Sequence, residues 1–182
     1  MDRDTYLAFE RGADEKHELW DGEVYAMGGA SLAHNWIVGN LVHQLGNALE
    51  GSGCKALPSD LRVRITSSDR YVYPDVTIVC GSPELEGDAD VLLNPRTIVE
   101  VLSPSTAAFD RGDKFAGYRS IPSVREVLFV SQEQRHVESY TRQADGSWVL
   151  REYRGDDALP LESLAAPLPL ARIYAGVALS SE

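Results

Sequence analysis

Apolar residues recur every four positions after Ser31, where Ile37, Leu41, Leu45 and Leu49 form one stripe with Val38, Val42 and Ala48 beside it. That spacing predicts an amphipathic helix over 32–50, with Ser31 as its N-cap and Gly51-Ser52-Gly53 as its end. A two-residue rhythm precedes it. Lys16-His17-Glu18-Leu19-Trp20 and Glu23-Val24-Tyr25-Ala26-Met27 flank Asp21-Gly22, a dipeptide favoured in type I′ turns, so the pattern predicts an N-terminal β-hairpin with Glu18 opposite Tyr25. Residues 5–11 suit a short helical turn before the hairpin.

Further along, 55–66 and 71–80 read as strands joined by a turn at Ser67-Ser68-Asp69, and 81–95 reads as a loop rich in acids, Gly and Pro. Arg96-Thr97-Ile98-Val99-Glu100-Val101-Leu102 is apolar on both alternations, the pattern of a strand covered on both faces. Ser103-Pro104-Ser105-Thr106 ends it, and 110–120 has helical spacing with an acid at its start. Strands are predicted at 125–131, 136–141 and 148–153, followed by a capping tail from Ala158. These elements give an α/β (α+β) fold in one domain over 1–182: a central mixed β-sheet flanked by the 32–50 and 110–120 helices, with the hairpin at the N-terminus.

A formal net charge of −11 argues against a broad basic surface and strong non-specific attraction to nucleic acid. Local binding survives that argument, because acids gathered around a divalent cation count in full in the formal sum. Cys54 and Cys80 form no CxxC pair and have no histidine cluster nearby, which argues against a zinc site and fits a reducing compartment. No apolar stretch approaches the ~20 residues needed to span a bilayer. The expected location is therefore the cytoplasm, with no membrane partner.

Two acids stand out against their surroundings. Burying an ionised carboxylate alone costs several kcal/mol, so Glu100 must be neutralised, paired with a cation or bound to a metal. Asp75 lies in similar apolar company in Tyr71-Val72-Tyr73-Pro74-Asp75-Val76-Thr77-Ile78. The plain alternatives are a turn cap made by Asp75 and a buried pair between Glu100 and Arg62 or Arg64. Lys114, four residues after Asp110 and four before Tyr118, either faces inward or simply pairs with Asp110. His34 lies on the apolar face at the first turn of its helix, where a satisfied core histidine is the alternative to a functional one.

Pro74-Asp75 followed by Glu100-Val101-Leu102 resembles the signature of the PD-(D/E)XK nuclease superfamily. The string Ile98-Val99-Glu100-Val101-Leu102-Ser103-Pro104-Ser105-Thr106, with Asp110, Lys114, Tyr118, His34 and Glu18-Leu19-Trp20-Asp21-Gly22, resembles the Uma-two (Uma-type) family of restriction-endonuclease-like proteins, over roughly residues 5–175. The resemblance implies a restriction-endonuclease-like core and metal-dependent hydrolysis of phosphodiester bonds in DNA. Asp75 and Glu100 would bind Mg²⁺, with Mn²⁺ as a substitute, because two carboxylates suit a hard ion. By the same resemblance the Val101 carbonyl would add a third oxygen. Leu102 stands where the superfamily carries a lysine, and the resemblance makes Lys114 its relocated counterpart. Glu18 and His34 would line the site, Glu18 as a supporting or additional ligand and His34 as an orienting or phosphate-contacting group. A homodimer is expected if one site per chain must cut both strands. Leu102 and the acidic balance keep open a second reading, a nuclease-like module that binds nucleic acid or protein without cutting.

Overall fold

In this computed structural model, which describes residues 1–179, the chain opens with helix α1 (Arg3–Glu10), capped by Asp2, whose carboxylate accepts from Thr5 N at 3.0 Å. The hairpin follows as β1 (His17–Trp20) and β2 (Glu23–Ala26). Asp21 and Gly22 take positive φ, as a type I′ turn requires, and Glu18 stands opposite Tyr25 as expected. Helix α2 (Leu32–Ala48) begins at Ser31, whose hydroxyl accepts from His34 N at 3.0 Å, and it buries Ile37, Leu41 and Leu45.

Prolines divide the two long strands expected next. Residues 55–66 become β3 (Cys54–Pro58) and β4 (Arg62–Ile65), while 71–80 becomes β5 (Arg70–Val72) and β6 (Val76–Cys80). Pro58 and Pro74 lack the N–H that a ladder requires, so at each of them the chain leaves one sheet for another. The expected loop over 81–95 holds two short strands, β7 (Leu85–Glu86) and β8 (Val91–Leu92). β9 (Thr97–Leu102) is buried at every position, as its composition predicts. The helix expected over 110–120 is instead α3 (Ala107–Phe109), a π-helical turn over Asp110–Lys114, and α4 (Phe115–Ser120). Then come β10 (Glu126–Ser131), β11 (His136–Arg142), β12 (Trp148–Arg154), β13 (Ala158–Leu159), β14 (Leu168–Pro169) and α5 (Leu170–Ile173).

All but β13 and β14, which pair with each other, make two six-stranded sheets, ordered β2-β1-β5-β4-β8-β7 and β12-β11-β10-β9-β6-β3. The second is mixed, with β9 and β10 parallel and its other pairs antiparallel. One of its faces packs on α2 and α5 through Ile37, Leu41, Val76, Val99, Leu170 and Ile173. Its other face packs on α4 and the first sheet through Val63, Ile65, Ile98, Phe115, Tyr118 and Phe129. Each such side chain contributes about 1.5–3 kcal/mol when buried, so these apolar layers fix the frame that holds the acids. Gly117 permits the closest approach of α4 to the first sheet, since a Cβ there would lie 2.7 Å from Ile65 Cδ1.

Cys54 and Cys80 stand directly opposite each other on β3 and β6 and are joined by a disulfide. Strand register, not a local motif, brings the pair together. Cross-linking residues separated by 26 positions stabilises by about 3.5 kcal/mol in the chain-entropy account. Dithiothreitol should therefore lower the stability extrapolated from urea titration by about 3 kcal/mol. An unchanged midpoint, with two thiols titrating in the untreated folded protein, would rule the bond out. Among the described residues no helix is long and apolar enough to cross a membrane.

Candidate active site

Asp75 and Glu100 meet where the two sheets join. The last residues paired between β6 and β9 are Val76 and Val99, so Asp75 and Glu100 are the next opposite positions, just beyond the end of that ladder. Pro74 ends the pairing and leaves the Asp75 carboxylate to find other partners. Its Oδ2 accepts from Val101 N at 2.7 Å and its Oδ1 lies 3.1 Å from His34 Nε2. Asp75 is thus no cap of its own turn.

Glu100 projects to the α4 side of β9 and is 5% exposed. Its Oε1 accepts from Lys114 Nζ at 3.2 Å and from the Tyr118 hydroxyl. Neither arginine considered as its partner reaches it: Arg62 pairs with Asp90, and Arg64 with Asp69 and Glu86. Lys114 also lies 2.9 Å from Glu18 Oε1 and 3.9 Å from Asp110 Oδ1. Glu18 itself accepts from Tyr73 N at 2.9 Å, tying the hairpin to the chain just before Asp75. The buried Lys114 therefore serves both readings made from the sequence, as an inward-facing group and as the partner of Asp110.

Three carboxylates, Glu18, Glu100 and Asp110, gather around this one lysine, and Asp75 lies near enough to Glu100 to raise its pKa. Burial pushes Glu100 up to about 8; Lys114 pulls the other way, and Asp75, Asp110 and Glu18 add to the rise. Burial also opposes the Lys114 charge, but Glu100, Glu18 and Asp110 outweigh it and hold the ammonium above the ordinary lysine range. Asp110 is raised by burial, against the pull of Lys114. At His34 burial lowers the pKa, yet the bond to Asp75, the charge of Asp75 and a bond to the Val101 main chain carry it upward overall.

Asp110 and Tyr118 join the site, although the motif names them without a role and Asp110 was otherwise weighed only as a partner of Lys114. The signal was there in part, since both lie four residues from Lys114. The π-helical turn has no comparable sequence mark, and turns of this kind occur frequently at functional sites. Leu102 is buried among apolar neighbours and leaves the superfamily's lysine position without a polar group.

Among the described residues no three His, Cys, Asp or Glu side chains form a preformed metal cage. Magnesium does not need one, because it is usually held by one or two carboxylates and keeps several waters. Asp75, Glu100 and the adjacent Val101 carbonyl are a hard-oxygen set of that kind. The excess of buried acid over cation fits a further positive charge.

A model of the Uma2 family, described as "Putative restriction endonuclease", matches residues 3–171. The chain belongs to the Uma2 family. Two uncharacterized proteins of Synechocystis sp. are each 37% identical to it, one over 96% of this chain and 92% of its own length, the other over 84% and 87%. A crystal structure from Anabaena variabilis, titled a putative nuclease belonging to DUF820, aligns with a TM-score of 0.77 at 16% identity, covering 96% of this chain and 98% of that one. The two chains share a fold, which the Uma2 chain builds as mixed sheets flanked by few helices. The family match covers all five acidic and basic side chains that gather here, from Glu18 to Lys114, together with His34 and Tyr118.

Proposed function

We propose that this protein is a metal-dependent endonuclease that hydrolyses phosphodiester bonds in DNA. The observation that carries the reading is the meeting of Asp75 and Glu100 just beyond the end of the β6–β9 ladder, with Lys114 on Glu100, in a family described as "Putative restriction endonuclease". Asp75, Glu100 and the Val101 carbonyl would hold Mg²⁺ or Mn²⁺. Bound there, the ion would polarise the phosphoryl oxygen and lower the pKa of a coordinated water.

The chain's own groups prepare that chemistry. Val101 N–H and His34 fix the two Asp75 oxygens, and Tyr118 fixes the Glu100 carboxyl, so both acids are held before substrate arrives. Lys114 keeps its proton among the surrounding acids, which suits it to hold the scissile phosphate or orient the attacking water rather than to act as a base. Glu18 gives Lys114 a second carboxylate partner.

Supercoiled plasmid incubated with purified protein tests the reading directly. Mg²⁺ or Mn²⁺ should produce nicked and linear DNA, EDTA should stop it, and Mg²⁺ alone should raise the melting temperature of the protein. The rival reading, a module that binds without cutting, draws support from Lys114 lying against the carboxylates themselves. No cleavage in either metal, together with a melting temperature indifferent to Mg²⁺, would decide for the rival.

A further inference from the structure

At the carboxyl ends of the parallel strands β9 and β10 lies a cavity of about 130 Å³, lined in part by Leu102, Ser103, Pro104, Ala107, Arg111 and Gln134. Leu102 is two residues past Glu100 on β9, so it shares the face of Glu100 and lies about 6.6 Å further along. The cavity is therefore one step from the carboxylates, on their side of the sheet.

Size and charge narrow what could enter. Pockets for drug-sized ligands run to about 300–1,000 Å³. This one is smaller and suits a single flat ring or a phosphate. A phosphate would find no free cation, because Arg111 is committed to Glu138 through Nε, at 2.9 and 3.1 Å, and Nη2, at 2.6 Å. It would also meet the Glu133 carboxylate on the exposed rim, while His136 is turned to Glu152 at 3.1 Å. A neutral ring meets better company. Leu102, Pro104 and Ala107 offer an apolar wall, and Gln134 offers an amide that both donates and accepts. The rim is held in place, since the Ser131 hydroxyl accepts from Glu133 N at 3.2 Å and Gln134 N at 3.3 Å.

We propose that this cavity receives one unpaired nucleobase of the DNA strand being cut, beside the scissile phosphate, so that the preferred substrate is single-stranded or locally opened DNA. The proposal rests on the nuclease reading for its substrate. It agrees with the net charge of −11, since stacking and hydrogen bonds to a base take the place of many phosphate contacts.

Two experiments test it separately from the nuclease reading. In the first, ¹⁵N-labelled protein is titrated with deoxyguanosine and with deoxycytidine at millimolar concentration. Amide shifts are expected at Ser103, Ala107, Ser131 and Gln134, and they should vanish in Ala107→Leu, which adds bulk to the cavity wall. Shifts that are absent, or that persist in Ala107→Leu, overturn the proposal. In the second, one sequence is cut as a single strand and as a duplex. The single strand should have a kcat/KM at least about tenfold higher, and Gln134→Ala, at an exposed position outside the helices and strands, should raise its KM several-fold at nearly unchanged kcat. Equal cutting of both forms, indifferent to Gln134→Ala, would overturn the cavity's role and leave the nuclease reading standing. Nucleoside binding by a protein that cuts nothing would support the cavity and overturn the nuclease reading instead.

Discussion

Glu100→Gln and Asp75→Asn should each reduce metal-dependent cleavage by at least about a thousandfold, since the ion contributes several kcal/mol and each 1.36 kcal/mol is tenfold. Both substitutions keep the shape of the side chain and remove its charge. Neither should unfold the protein. Burial disfavours the Glu100 charge, so a neutral amide of the same shape suits its surroundings. The amide introduced by Asp75→Asn would retain an oxygen for the Val101 N–H. Single-turnover cleavage of plasmid, run beside thermal melts of the same samples, measures both quantities. If either folded variant cuts at the wild-type rate, Asp75 and Glu100 are not the metal ligands.

Lys114→Met should produce the largest loss of stability, about 3–5 kcal/mol, the usual cost of removing one partner from a buried ion pair. Methionine nearly matches the lysine stem in length, so the change isolates the charge from the packing. Without the ammonium, Glu18, Glu100 and Asp110 lose the cation at 2.9, 3.2 and 3.9 Å. Urea titration gives the magnitude. Combining Lys114→Met with Glu100→Gln should recover part of the loss, because one of the stranded carboxylates has then been neutralised. A loss below about 1 kcal/mol would place this pair among surface salt bridges and remove Lys114 from its proposed central position.

The residues that carry the proposed chemistry were legible because they violate their surroundings. Glu100 interrupts a strand that is otherwise apolar, and that incongruity is visible without coordinates. Helical spacing left Lys114 facing inward or pairing with Asp110, and it does both although the backbone there forms a π-helical turn. What the sequence concealed was non-local. A proline inside a strand-like run can mark an edge, a bulge or a crossing between sheets, and only the partners of β3 to β6 show that Pro58 and Pro74 mark crossings. The disulfide depends on register between β3 and β6, and the Tyr118–Glu100 bond depends on how α4 packs over β9. Neither leaves a local trace, since a buried tyrosine in an apolar stripe looks the same with or without a partner for its hydroxyl.

The crossing at Pro74 also bears on when the site comes into being. Glu18 belongs to one sheet and Glu100 to the other, while Asp75 lies on the chain between them. A folding intermediate with only one sheet formed would hold half of the polar cluster and could not gather its acids around Lys114. Contacts between segments so far apart in the chain are the slow ones to form, because loop closure must precede the interactions that reward it. The proposed hydrolytic machinery thus stays unassembled in the incompletely folded chain, and it arms only as the two sheets dock.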